Sequence, residues 1–132
     1  MSGDGHKEKF QSFRELKVWQ EGRAFRQFVF ELVKAFPPDE RYRLADQLVR
    51  SSRSVCDNIS EGHGRFSFKD QLHFCIQARG SLSETLNHLY TAIDCMYISQ
   101  EQLEEGHQHF KAVEALLNGY ITFLRTQLKD TK

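Results

Sequence analysis

The only two prolines of the chain, Pro37 and Pro38, stand side by side. Proline lacks the backbone donor a helix needs and turns the preceding residue out of the helical region. The chain therefore carries one sharp break, and long stretches on either side of it are open to helix. Scattered Leu, Phe, Glu and Gln around so little proline favour an all-α fold. Apolar residues recur at helical spacing on both sides of the break, and four such stretches can be delimited.

Ser12, with Glu15 three positions on, reads as a capping box for a first helix over residues 13–35. Phe25, Phe28, Val29, Leu32, Val33 and Phe36 form its broad apolar face. Leu16, Trp19 and Phe30 fall on another side. A bundle helix needs only one stripe, so this surplus side is either scattered surface apolars, which are common, or a partner surface, which a Trp with Leu and Phe one face over favours. Pro38 suits the first turn of a second helix over residues 39–61, with Asp39 and Glu40 near its positive end. Gly62 and Gly64 are expected to end it in the left-handed conformation. Ser67 with Asp70 opens a third helix over residues 68–97, whose expected core is Leu72, Cys75, Ile76, Leu82, Leu86, Leu89, Ile93 and Met96. Gly80 in its middle costs about 1 kcal/mol against Ala and is expected to mark the close approach of another helix. Ser99 with Gln102 opens a fourth helix to about residue 129, striped by Leu103, Phe110, Val113, Leu117, Tyr120, Leu124 and Leu128. Short connections between four amphipathic helices make an antiparallel up-down-up-down four-helix bundle the default. Residues 1–12 read as a flexible N-terminal segment and residues 13–132 as a single domain.

The second helix carries an unusual second face. Gln47, Arg50 or Ser51, Ser54, Asn58 and Glu61 recur every three or four residues, a heptad seam made of polar groups. Spacing alone does not separate a solvated face from a contact between helices. Composition favours the contact: Ser and Asn are poor formers of helix interiors, and a solvated face more often uses Glu, Lys and Gln. Small polar groups suit a tight interhelical contact, and a buried Arg50 would need a partner, for which Glu84 on the third helix is the expected choice. Gln77, Gly80, Glu84 and Asn87 or His88 make a neighbouring polar strip.

Chemistry is less marked. Lys plus Arg number 18 and Asp plus Glu 18, a neutral balance that argues against a dedicated phosphate-backbone binder. A local patch of Arg14, Lys17, Arg23, Arg26, Arg50, Arg53 and Arg65 would be the alternative, interrupted by Glu15, Glu21, Asp46, Asp57 and Glu61. The six histidines are scattered; Glu84 and His88 form an i,i+4 pair that could contribute to a metal site. No metal, cofactor or catalytic set is expected, and the protein reads as non-enzymatic. The three cysteines include no C-x-x-C; Cys75 and Cys95, on one helix, stand about 30 Å apart and cannot pair. Reduced thiols, no apolar run at the N-terminus and no membrane span point to the cytoplasm.

Five pieces in order carry a resemblance: F-x-x-L-x-V-W-Q from Phe13, F-P-x-x-E-x-Y from Phe36, Q-x-x-R-x-x-x-S from Gln47, N-I-S-E-G-x-G-R from Asn58 and G-S-L-x-E from Gly80. Together they resemble the proteins encoded in intervening sequences of bacterial 23S ribosomal RNA genes. The resemblance implies a helical-bundle subunit that assembles as a homopentamer, in a family without a settled biochemical role. A relative, the accessory variability protein of diversity-generating retroelements, resembles a basic pentameric barrel that binds a reverse transcriptase and nucleic acid. That implies, as an alternative, an adaptor for RNA or a reverse transcriptase, from which this chain departs in its neutral charge. Gln47, Arg50, Ser54, Asn58, Glu61, Gly62, Gly80, Ser81 and Glu84 match the family's recurrent positions. With Trp19, they are the expected oligomer or polar-seam contacts.

Overall fold

A computed structural model describes residues 12–130; all but Ser12 of the expected flexible segment lies outside the described residues. Four helices carry the fold: α1 (Lys17–Leu32), α2 (Leu44–His63), α3 (Phe68–Asp94) and α4 (Gln100–Asp130), with no strand among the described residues. Their buried positions alternate three and four apart. In α1 these are Val18, Gly22, Phe25, Val29 and Leu32; in α3 they are Cys75, Ala78, Leu82, Thr85, Leu89 and Ala92. That is the repeat of helices packed side by side at small crossing angles. Each helix packs on its neighbour in sequence, and α4 returns beside α1. Residue numbers fall on one helix as they climb on the next. Ser51 meets Thr85 and Ser54 meets Ser81; Leu89 lies by the α-carbon of Gly106, and Arg79 reaches Asn118. Phe25, Leu48, Leu82, Leu89, Leu117 and Leu124 are closed to solvent, each contributing about 1.5–3 kcal/mol by burial.

The helix ends are fixed by specific groups. Ser12 caps only a 3₁₀ turn (Phe13–Glu15), accepting the amide of Arg14 rather than joining Glu15 in a capping box. Leu16 is extended, so α1 starts at Lys17, and Phe13 folds back edge-on against Trp19 with ring centroids 5.2 Å apart. Trp19 is consequently 8% exposed, which corrects its reading as an exposed partner anchor. At the far end α1 tightens into a 3₁₀ turn (Val33–Ala35), and Phe36 is extended ahead of Pro37, as proline demands. The second helix begins at Leu44, later than expected. Glu40 lies in a separate turn (Pro38–Glu40) and accepts the Leu44 amide at 3.1 Å. Its other oxygen accepts the Tyr97 hydroxyl at 2.8 Å, tying this corner to the α3–α4 turn. Ser67 and Ser99 cap as expected: Ser67 accepts the Asp70 amide, and Ser99 and Gln102 exchange two bonds.

The glycines act otherwise than expected. Neither Gly62 nor Gly64 has positive φ. Gly62 instead lets α3 approach: a Cβ there would stand 3.0 Å from Cβ of Phe74. Gly80 is exposed with nothing within 4 Å of such a Cβ, so none of the described helices packs on it. The tightest glycine is Gly106, where a Cβ would fall 2.7 Å from Leu89 Cδ1 and 3.2 Å from the Phe28 ring. The third helix ends at Asp94, three residues earlier than expected. The Met96 amide bonds to Ile93 O and the Tyr97 amide to Ala92 O, with Met96 at φ 62°. This is a Schellman motif with Met where glycine is usual, so Met96 leaves the core and is 88% exposed. Ile76 also faces outward.

Gly106→Ala is expected to cost about 1–3 kcal/mol by overpacking, whereas Gly119→Ala, with open space around it, should gain up to about 1 kcal/mol; urea denaturation measures both. The Glu40–Tyr97 bond has its own pH signature. The Tyr97 bond holds the Glu40 carboxyl below its ordinary value, and the same bond pushes the Tyr97 phenol up to about 12. The carboxylate's contribution is present above its unfolded value near 4.5 and is lost as pH falls through the lower folded value. The phenol's is present below about 10 and is lost as pH rises through about 12. The melting-temperature difference between wild type and Tyr97→Phe should stay level from pH 6 to 9 and shrink at both extremes, on the order of the cited windows.

Candidate functional site

Where α2 faces α3, both helices present small hydroxyl residues. Ser54 Oγ and Ser81 Oγ are 2.8 Å apart. Thr85 Oγ1 lies 2.8 Å from Ser51 Oγ and 2.8 Å from the Ser81 carbonyl. Ser51 Oγ is also 3.3 Å from the Leu48 carbonyl, and Asn58 Nδ2 donates to Ser54 O at 2.9 Å and Ser54 Oγ at 3.1 Å. A hydroxyl has one proton. The Thr85 proton faces two acceptors, Ser51 Oγ and the Ser81 carbonyl, and Ser51 donates to Leu48 O, so each of these hydroxyls has a partner. Among the described residues no buried side-chain polar atom lacks a partner. The polar seam is therefore an interhelical contact built on Ser51, Ser54, Asn58, Ser81 and Thr85. Thr85 escaped the sequence reading because a lone threonine at a core position of α3 looks like any β-branched core residue.

The charged ends of the seam lie outside it. Arg50 and Glu84 line one open cleft with Tyr42, Asp46, Gln47 and His88, but they are not paired. Arg50, with a side chain 77% exposed, reaches Asp46 at 3.7 Å, and Glu84 meets His88 at 3.2 Å. The expected buried Arg50–Glu84 pair is thus corrected: in solvent, partners one turn away on the same helix suffice. Glu61 likewise pairs with Arg65 at 2.8 Å, and Arg65 lies over the Phe74 ring at 4.8 Å. Among the described residues no three His, Cys, Asp or Glu side chains are grouped to hold a metal.

The seven basic positions are distributed over several surfaces. Arg14 stands at the first 3₁₀ turn, and Lys17 lines a groove of Leu16, Leu116, Tyr120 and Phe123 between α1 and α4. Arg50 and Arg65 belong to the α2–α3 side. Arg23 and Arg26 flank Trp19, 5.8 and 5.6 Å from its ring centroid. Arg26 and Arg53 face each other across the groove between α1 and α2, with Phe30, Val49 and Ser52. Phe30 and Val49 continue that groove into an apolar cleft of about 710 Å³ with Val33, Pro37 and Tyr42. Of the surplus apolar side expected on the first helix, Phe30 is the residue that stays open, 47% exposed. Cys56 and Cys75 are buried free thiols, and burial pushes both up to about 11, partly offset at Cys56 by Arg26. Cys95 is free and exposed.

The hydroxyl seam inside an all-α fold defines a helical-bundle protein whose buried polar groups join two of its helices. Over residues 14–119 the chain matches the family described as 23S rRNA-intervening sequence protein, and it belongs to that family. Its structure is similar to the crystal structure of a protein of unknown function from the S23 ribosomal protein family of Bacteroides thetaiotaomicron. The TM-score is 0.71 at 22% identity, over 79% of this chain and 97% of that one, a likeness of fold. No curated protein matches the sequence. No helix among the described residues is long and apolar enough to cross a membrane.

Thr85→Val should cost about 1–3 kcal/mol by leaving hydroxyl groups of the seam without a partner, and Ser51→Ala combined with it should cost less than the two changes summed. Arg50→Ala and Glu84→Ala should each cost under about 1 kcal/mol and add. Denaturation of the single and double variants measures all of these.

Proposed function

We propose that this protein is a non-enzymatic subunit that assembles with copies of itself, and that the groove between α1 and α2 is one of its assembly surfaces. The observation that carries this reading is the apolar groove left open in the subunit. Phe30 and Tyr42, 47% and 84% exposed, stand over Val33, Pro37 and Val49, and no element among the described residues covers them. Large exposed apolar surfaces are typically interaction sites. A ring needs a second, different surface. Five subunits is the number the family resemblance implies. Three free cysteines are in keeping with a bacterial cytoplasmic setting.

Arg26 and Arg53 beside the same groove favour a second reading, an adaptor whose cations meet RNA or a reverse transcriptase. Glu31 and Asp46 line the same groove and weaken it for a phosphate backbone. Light scattering at micromolar concentration should give a mass several times that of one chain. A monomer mass together with RNA retention that falls steeply with salt would replace self-assembly with the adaptor reading.

A further inference from the structure

We infer that the groove between α1 and α2 receives the α3–α4 side of the next copy, head to tail; this rests on the self-assembly reading and names the faces it uses. The zero net charge hides a division. Residues 80–110 contain no Lys or Arg. Of their exposed carboxylates, Glu84 lines the α2–α3 cleft and Glu105 the α1–α4 groove, which leaves Asp94, Glu101 and Glu104 to the α3–α4 side. The cations that line the groove are Arg26, Lys34, Arg41 and Arg53. Lys34 is held by Glu31 at 2.9 Å. Arg41 and Arg53 make no ion pair among the described residues, nor do Asp94, Glu101 and Glu104. Each side thus carries charge that the subunit does not neutralise.

The topology sets these sides apart. The helices follow one another around the bundle, so the α1–α2 side is opposite the α3–α4 side. A two-fold contact through the groove would set Arg53 against Arg53. A heterologous contact sets the cations against the carboxylates, and unlike faces on opposite sides repeat into a ring or filament. The heights agree as well. Arg41 and Glu101 both lie at the bundle end that holds Pro37, and the other charges lie within about 15 Å of it. Copies with parallel axes therefore bring the two sets level. The acidic side also offers apolar groups to an apolar groove: Tyr90 is 44% exposed, and Met96 stands at its tip.

The test is charge reversal of each side and of both together. Arg41→Glu with Arg53→Glu, and separately Glu101→Lys with Glu104→Lys, change exposed groups, and circular dichroism checks that the helices persist. Sedimentation should show each one-sided variant dissociating, its dissociation constant raised on the order of tenfold or more, and the chain reversed on both sides reassembling. Assembly of the wild type should also weaken as salt rises. A monomeric wild type would overturn the self-assembly reading and this one with it. An assembled wild type that tolerates either reversal, or a doubly reversed chain that stays dissociated, overturns the assignment of faces and leaves self-assembly standing. If a reversed chain loses its helices, Arg41→Gln with Arg53→Gln replaces it, and unchanged assembly and unchanged salt dependence then overturn the assignment.

Discussion

The hydroxyl contact between α2 and α3 is the constraint on which the rest of the bundle depends. Apolar side chains tolerate a slide of one helix along another, because their attraction has little direction. Hydroxyls do not. Ser54 with Ser81 and Thr85 with Ser51 are satisfied in one register. A slip of one turn would leave these groups buried without partners. It would also carry the Phe74 Cβ away from Gly62, the one residue there without a side chain of its own. Each bond adds little net stability, about 0.5–1.5 kcal/mol, but losing a partner costs more than making the bond gains. Specificity of alignment, more than strength, is what the seam supplies. With α2 and α3 aligned, α1 packs on the free flank of α2 through Gly22 and α4 on that of α3 through Gly106.

The seam also explains why the most distinctive polar residues of the chain are poor candidates for binding. Most of their donors and acceptors are used by one another, within the contact between the two helices. Charge is kept outside this contact. Arg50, Glu61 and Glu84 each meet a partner one helical turn away, where water limits both the gain and the penalty. Apolar groups and unpaired charges remain open in the outward grooves instead.

Much of this was legible in the sequence: four stripes, the proline corner, the serine caps at Ser67 and Ser99, and a polar face on the second helix that had to meet something. What could not be read follows from residue size. Gly22 interrupts the stripe of Val18, Phe25, Val29 and Leu32, so Trp19 beside it looked detached from the core. Ala78, Thr85 and Ala92 are core residues because the helices approach closely there, whereas the larger Ile76 and Met96, chosen for their apolarity, face out. The expected Arg50–Glu84 pair rested on residues that do share a cleft. Spacing shows which residues share a side, and the choice among partners depends on side-chain reach and solvent.

The Schellman turn after α3 places two sulfur atoms together in an unusual setting. Cys56 and Cys75 are sealed in the core, and with their thiols pushed up to about 11 only about one in ten thousand is ionised at neutral pH. They are slow to react with peroxide or disulfides. Cys95 and Met96 are adjacent and open to solvent. Among the described residues these are the sulfurs an oxidant can reach, and sulfoxide formation at Met96 would make a protruding apolar side chain polar. Among the described residues oxidative chemistry is thereby confined to one corner, away from the packed interior, and the bundle can be chemically marked there without its core being touched.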